Sequence, residues 1–158
     1  MIKAAFFDID GTLFSHTIHA IPESTKRTVK LLREKGIKVF IATGRSLKET
    51  KRVPLGDMKF DGYVTLNGQI CLDAEEKILF EAPIKGEDGA YLLDAFVNKK
   101  FPLAIVEKER IYINYIDDSV IRAQKSVNIP LLPIKEYQGA PIYQFIGYMN
   151  LEETEKIA

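Results

Sequence analysis

Ala4-Ala5-Phe6-Phe7-Asp8-Ile9-Asp10-Gly11-Thr12-Leu13 is the stretch around which the chain is organised. A short apolar run ends in two carboxylates spaced two apart and a glycine turn, which reads as a buried strand with acids at its carboxyl end. Extended backbone turns alternate side chains to one side, so Asp8 and Asp10 are expected to converge. Two converged carboxylates stay ionised near neutral pH when a divalent cation sits with them. Carboxylate, carbonyl and water ligands suit Mg²⁺. In open α/β sheets ligands bind beyond the carboxyl ends of the strands, where this pair lies. Without its context, an Asp-x-Asp is more readily a strand-end turn carrying a surface acid.

The neighbouring segments supply that context. Pro22 suits a helix start, and Thr25, Thr28, Val29, Leu31 and Leu32 follow helical spacing until Lys35-Gly36, a basic last turn with a C′ glycine. Ile37 to Ala42 is a second apolar run, so the opening reads strand, crossover helix, parallel strand. Thr43-Gly44-Arg45-Ser46 then leads into Ser46-Leu47-Lys48-Glu49, a capping-box pattern. A hydroxyl and unpaired N–H groups at a helix start suit an anionic oxygen, and a turn in the next parallel strand lies beside the Asp8 end of the first. Arg45 brings a guanidinium to the same place, although an exposed arginine at a helix start needs no ligand to explain it. Tyr63 to Leu66 is a third strand, turned by Asn67-Gly68 into a hairpin. His16 and His19 lie between Phe14 and Ala20 in a polar loop; two imidazoles without further ligands read as solvated.

From about Ala82-Pro83 the pattern changes, and a domain boundary is placed there. Tyr91 to Val97 is helical. Leu103 to Val106 and Ile111 to Tyr115 form a hairpin across Glu107-Lys108-Glu109-Arg110. Val120 to Val127 is helical, Pro141 to Met149 is a strand, and a final helix opens at Leu151-Glu152-Glu153.

At 158 residues, 46% of them hydrophobic, the chain forms one ordinary domain or two small ones. Lys+Arg 22 balance Asp+Glu 22 to a net charge of +0, with no block of like charge, so nucleic acid is not expected as a partner. Cys71, the one cysteine, reads as a buried free thiol. No apolar run approaches the roughly 20 residues of a membrane span and no basic, apolar leader precedes the motif strand, so a soluble cytoplasmic protein is expected.

Asp8-Ile9-Asp10-Gly11-Thr12-Leu13 resembles the first signature of the haloacid-dehalogenase-like hydrolases, and Val39-Phe40-Ile41-Ala42-Thr43-Gly44-Arg45 resembles the second. With Ile21-Pro22-Glu23-Ser24-Thr25 and Leu66-Asn67-Gly68-Gln69, the likeness is to the Cof-type sugar-phosphate phosphatase branch. It implies a Rossmann-like α/β core, of which residues 1–82 hold the first three strands, and an inserted α/β cap over residues 83–158. It further implies Asp8 as the nucleophile of an aspartyl-phosphate mechanism and Asp10 as general acid and base. Mg²⁺ would sit on the Asp8 side chain and the Asp10 carbonyl. Thr43, Gly44, Arg45 and Asn67 would line the phosphate of a small phosphorylated metabolite. The family's later lysine and acidic motifs have no counterpart after Ala82. A truncated chain of little activity is therefore expected, with an uncovered core edge open to self-association. Two other readings stay open: a phosphate- or sugar-phosphate-binding module without turnover, and a receiver-like phospho-acceptor domain, against which the third strand ends in Leu66-Asn67-Gly68 rather than in an acid.

Overall fold

The computed structural model describes residues 1–127 and 129–149, which divide into two compact units at Ala82 and Pro83. The helix expected from Leu151 lies outside the described residues.

In the first unit, β1 (Ala4–Phe7), β2 (Lys38–Ala42) and β3 (Gly62–Thr65) are parallel, and β4 (Ile70–Asp73) and β5 (Ile78–Glu81) continue the sheet antiparallel, in the order β1-β2-β3-β4-β5. The parallel α/β arrangement expected from the opening segments is present. Helix α1 (Glu23–Glu34) joins β1 to β2. Pro22 occupies its N-cap, where the missing N–H costs nothing, and Gly36 follows the helix at φ 73°, a conformation that glycine adopts without a Cβ clash. The helical spacing turns Val29 inward, 2% exposed, against Val39, Ile41, Ile9 and Leu13. Helix α2 (Leu47–Thr50) is a single turn after β2.

The two faces of this sheet differ. Pairing of Phe7 with Ile41 and of Ile41 with Tyr63 places these residues on the face that packs against α1. The opposite face carries Phe6, Phe40, Val64, Cys71 and Phe80 by the same register. There Phe6 stacks on Phe40 at 4.8 Å and 15°, yet Phe6 stays 59% and Phe80 54% exposed.

In the second unit, α3 (Gly86–Val97) and α4 (Asp118–Ser126) flank a sheet of β6 (Leu103–Glu107), β7 (Ile111–Ile113) and β8 (Ile142–Gly147), ordered β7-β6-β8 and antiparallel throughout. Strand β6 is buried along its whole length because both its faces are covered. Leu103 and Ile105 pack with Phe96 of α3, and Ala104 packs with Val120 of α4. Asn114 ties the unit together: its carbonyl oxygen accepts from Leu103 and Tyr115 N–H, and its amide donates to the Phe96 and Phe101 carbonyls.

Candidate active site

The carboxyl end of β1 departs from the extended geometry that the sequence suggests. The strand stops at Phe7, and the chain then turns, with Leu13 N–H donating to Asp8 O at 3.2 Å and Phe14 N–H donating to Ile9 O at 2.8 Å. Ile9 and Leu13 are fully buried, and driving them into the core leaves Asp8 and Asp10 exposed on the rim. Gly11, at φ 78°, makes the turn possible. Convergence of the two acids by strand alternation is therefore not how this site is built.

The β2 end supplies the second wall. Register pairs Phe7 with Ile41, so Asp8 follows β1 beside the point where Thr43 follows β2. Thr43 is 6% exposed; its N–H donates to Val64 O, and its Oγ1 accepts the Arg45 N–H at 3.2 Å. Ser46 caps α2 as the sequence predicts. Its Oγ accepts from Glu49 N–H at 3.2 Å, while its own N–H donates to Glu49 Oε2 at 3.1 Å.

The turn between β3 and β4 closes on this loop. Leu66 N–H donates to Arg45 O at 3.0 Å and Asn67 N–H to Thr43 O at 3.2 Å. Leu66 and Asn67 both adopt positive φ, 50° and 56°, a conformation that costs roughly 1 to 3 kcal/mol at a non-glycine residue and that the two loop-to-loop bonds hold in place. A Cβ on Gly44 would lie 3.0 Å from Asn67 Oδ1, so the Asn67 side chain sits against the glycine.

Arg45 then joins the two walls. Its Nε donates to Asp10 Oδ2 at 2.8 Å and its Nη2 to Asp10 Oδ1 at 2.7 Å, a two-pronged pairing across 35 residues. His16 Nε2 lies 3.2 Å from the same Oδ1. The Arg45 hydrogen bonds, against partial burial and with added attraction from Arg45 and His16, hold the Asp10 carboxyl below the usual carboxylate range. In this arrangement Asp10 is an ionised acceptor whose charge is met by the protein. Asp8 makes no side-chain hydrogen bond or ion pair among the described residues and feels Arg45 only at longer range.

Of the residues singled out in the sequence, Asp10, Thr43, Gly44, Arg45 and Asn67 are linked by these contacts, and Asp8 stands at the adjoining strand end. His16 was missed. Its contact depends on how the chain folds back after Gly11, for which the sequence carries no periodic signal.

Asp8 and the Asp10 main chain present hard oxygen donors on an exposed rim, and among the described residues no three His, Cys, Asp or Glu cluster to enclose a metal. That donor set fits Mg²⁺, which binds through one or two carboxylates and retains water and phosphate oxygens for the rest of its shell. A cleft of about 700 Å³, lined by α1 residues such as Arg27, Lys30 and Glu34 with Met58 and Lys59, includes none of these site residues.

A family model described as haloacid dehalogenase-like hydrolase matches residues 5–158. The chain is 28% identical over 159 residues to YkrA of Bacillus subtilis (strain 168), which carries a phosphatase name, covering 99% of this chain and 61% of that protein. Among solved structures, BT1666 from Bacteroides thetaiotaomicron, described among phosphatases of this superfamily, superposes with a TM-score of 0.86 at 25% identity, covering 99% of this chain and 59% of its own. The subclass IIB sugar phosphatase BT4131 superposes with a TM-score of 0.74 at 30% identity, covering 98% and 62%. The chain thus spans about three fifths of the length of these relatives.

Proposed function

The chain belongs to the haloacid dehalogenase-like hydrolase family, and from that premise we propose that it carries the phosphoryl-transfer end of a Mg²⁺-dependent phosphatase. Its substrate in this reading is a small phosphorylated metabolite, with a sugar phosphate favoured by the likeness to BT4131. Residues 1–82 are read as the front of the catalytic core and residues 83–158 as part of an α/β cap. A protein with one free cysteine and no helix, among the described residues, that is long and apolar enough to cross a membrane suits the cytoplasm.

The observation that carries the reading is the loop of Thr43, Gly44 and Arg45 at the end of β2, set by strand register beside the Asp8 end of β1. Asp8, which has no protein partner among the described residues, attacks phosphorus. An Asp8–phosphorus bond forms as the bond to the leaving oxygen breaks, and Asp10 in its protonated form delivers the proton to that oxygen. Asp10, now a carboxylate, takes a proton from water as the water attacks phosphorus, which releases orthophosphate and regenerates Asp8. A carboxylate gripped by Arg45 is a poor acid. The first step therefore requires Arg45 to let go of Asp10, and an incoming phosphate dianion is the group to which a guanidinium fork transfers. Thr43 donates its hydroxyl proton to a phosphoryl oxygen, its lone pair being held by Arg45 N–H. Mg²⁺ held by the Asp8 carboxylate and the Asp10 carbonyl supplies charge neutralisation when bound.

The test is hydrolysis of p-nitrophenyl phosphate with Mg²⁺, comparing the chain with Asp8→Asn. Turnover by these 158 residues is expected to be slow, because Arg45 is the cation seen to engage the site among the described residues. Aspartate at position 8 is still expected to exceed asparagine by at least ten-fold. Equal rates in both would remove Asp8 from the chemistry. Saturable orthophosphate binding without any Asp8-dependent turnover would favour the non-catalytic binding module, to which the Arg45 hold on Asp10 lends weight.

A further inference from the structure

The His16 side chain is 62% exposed, yet both its main chain and its ring are fixed. Its main chain lies between two closures: Gly11 N–H donates to Phe14 O at 3.0 Å, and Ser15 N–H donates to Ala20 O at 3.0 Å. Phe14 is packed on the core cluster around Ile9 and Leu13, and the His16 ring meets the Phe14 ring edge-on at 5.5 Å and 78°. The imidazole is thereby aimed at one oxygen of Asp10, Oδ1, at 3.2 Å.

Arg45 uses both oxygens of the same carboxylate, Oδ1 and Oδ2, through a rigid planar fork. Its two bonds are made and lost together. Once they are lost, an exposed aspartate with no other partner turns freely among its rotamers, and a proton donor that turns is poorly placed. His16 is the one other group seen to hold this carboxylate among the described residues, and it holds only Oδ1.

We propose that His16 is the positioning residue of Asp10. When Arg45 turns to a phosphate, His16 keeps Oδ1 and leaves Oδ2 open for proton transfer to the leaving oxygen. An imidazole with its proton on Nε2 does this whether neutral or charged, so the role does not depend on the ionisation of His16. The inference rests on the phosphatase reading, which supplies the phosphate that draws Arg45 away.

The experiment is nuclear magnetic resonance on the intact chain, titrated with orthophosphate in the presence of Mg²⁺, for wild type, His16→Ala and His16→Gln. The Arg45 Nε–H signal reports whether Arg45 leaves Asp10, and the Asp10 α–β proton couplings report whether the carboxylate keeps one rotamer. Wild type is expected to show a saturable Arg45 shift with Asp10 couplings unchanged. His16→Ala is expected to show the same Arg45 shift, with couplings collapsing to averaged values only when phosphate is bound. His16→Gln, whose amide keeps a donor near the Nε2 position, is expected to restore the wild-type couplings. All three are expected to share one melting temperature. A single Asp10 rotamer in phosphate-bound His16→Ala would overturn the inference and leave the phosphatase reading standing. An Arg45 signal indifferent to phosphate in wild type would overturn both.

Discussion

Asp61 shows how one side chain can hold three segments. Its carboxylate accepts from Val39 N–H at 2.9 Å, from Lys38 Nζ at 3.0 Å and from Arg33 Nη1, so the end of α1, the start of β2 and the start of β3 meet on it. Burial raises its pKa, but the Val39 amide, Lys38 and Arg33 outweigh that and leave it below the usual carboxylate range. A depressed folded-state value means that the stabilisation is present above the unfolded-state value near 3.9 and is lost as pH falls through the folded one. Asp61→Asn is expected to lower stability by about 1.5 to 3 kcal/mol at pH 7. Urea midpoints measured from pH 7 to pH 3 are expected to show the gap between the two proteins narrowing below about pH 4; a constant gap would assign the loss to shape rather than charge. Thr50 presents the opposite case, a fully buried hydroxyl with no hydrogen-bond partner among the described residues. Thr50→Val removes the unsatisfied group at nearly constant volume, and a gain of about 1 kcal/mol is expected in the same assay. A loss would show that water or an undescribed residue satisfies the hydroxyl.

At the level of elements, α2 is one turn long, so its capping box carries an unusually large share of its stability. Ser46→Ala is expected to cost about 1 kcal/mol in global stability. It is also expected to weaken orthophosphate binding, because the cap fixes the loop that presents Thr43 and Gly44. Gly44→Ala places a Cβ 3.0 Å from Asn67 Oδ1 and is expected to cost roughly 1 kcal/mol, recovered when Asn67→Ser is added. A double variant no better than the single would place the strain elsewhere. These elements were legible in the sequence for identifiable reasons. Apolar runs bounded by Gly11, Gly36 and Gly68 marked the strand and helix ends, and Ser46 with Glu49 marked a cap through strictly local spacing. What could not be read was set by contacts distant in sequence. The Asp10–Arg45 fork spans 35 residues. The assumption that β1 stays extended through Asp10 failed because burial of Ile9 and Leu13 pulls the chain into a turn one residue after Phe7. Asn67 was assigned by family likeness alone, and its left-handed backbone bonded to Thr43 O is visible only in three dimensions.

For the whole molecule, one face of the first unit's sheet presents exposed aromatic side chains, Phe6 at 59% and Phe80 at 54%. Phe6, Phe40 and Phe80 lie on one face, and β1 ends the sheet with its outer edge unpaired among the described residues. Self-association of the 158-residue chain is therefore expected, visible as a sedimentation coefficient that rises with concentration. Phe6→Glu combined with Phe80→Glu is expected to abolish the rise. A chain that is monomeric at every concentration before any substitution would show that the patch stays unpartnered.

The strand order of that sheet, β1-β2-β3-β4-β5, has a consequence for how the molecule is made. Among the described residues each strand of this sheet after β1 pairs with the strand before it in sequence, so these pairings need no partner from later in the chain. The order in which residues leave the ribosome is then the order in which the sheet grows. The hairpin turn at Asn67 completes the loops around Asp10 and Arg45 before the second unit is synthesised. The corner formed by Asp10 and Arg45 is thus in place ahead of the second unit.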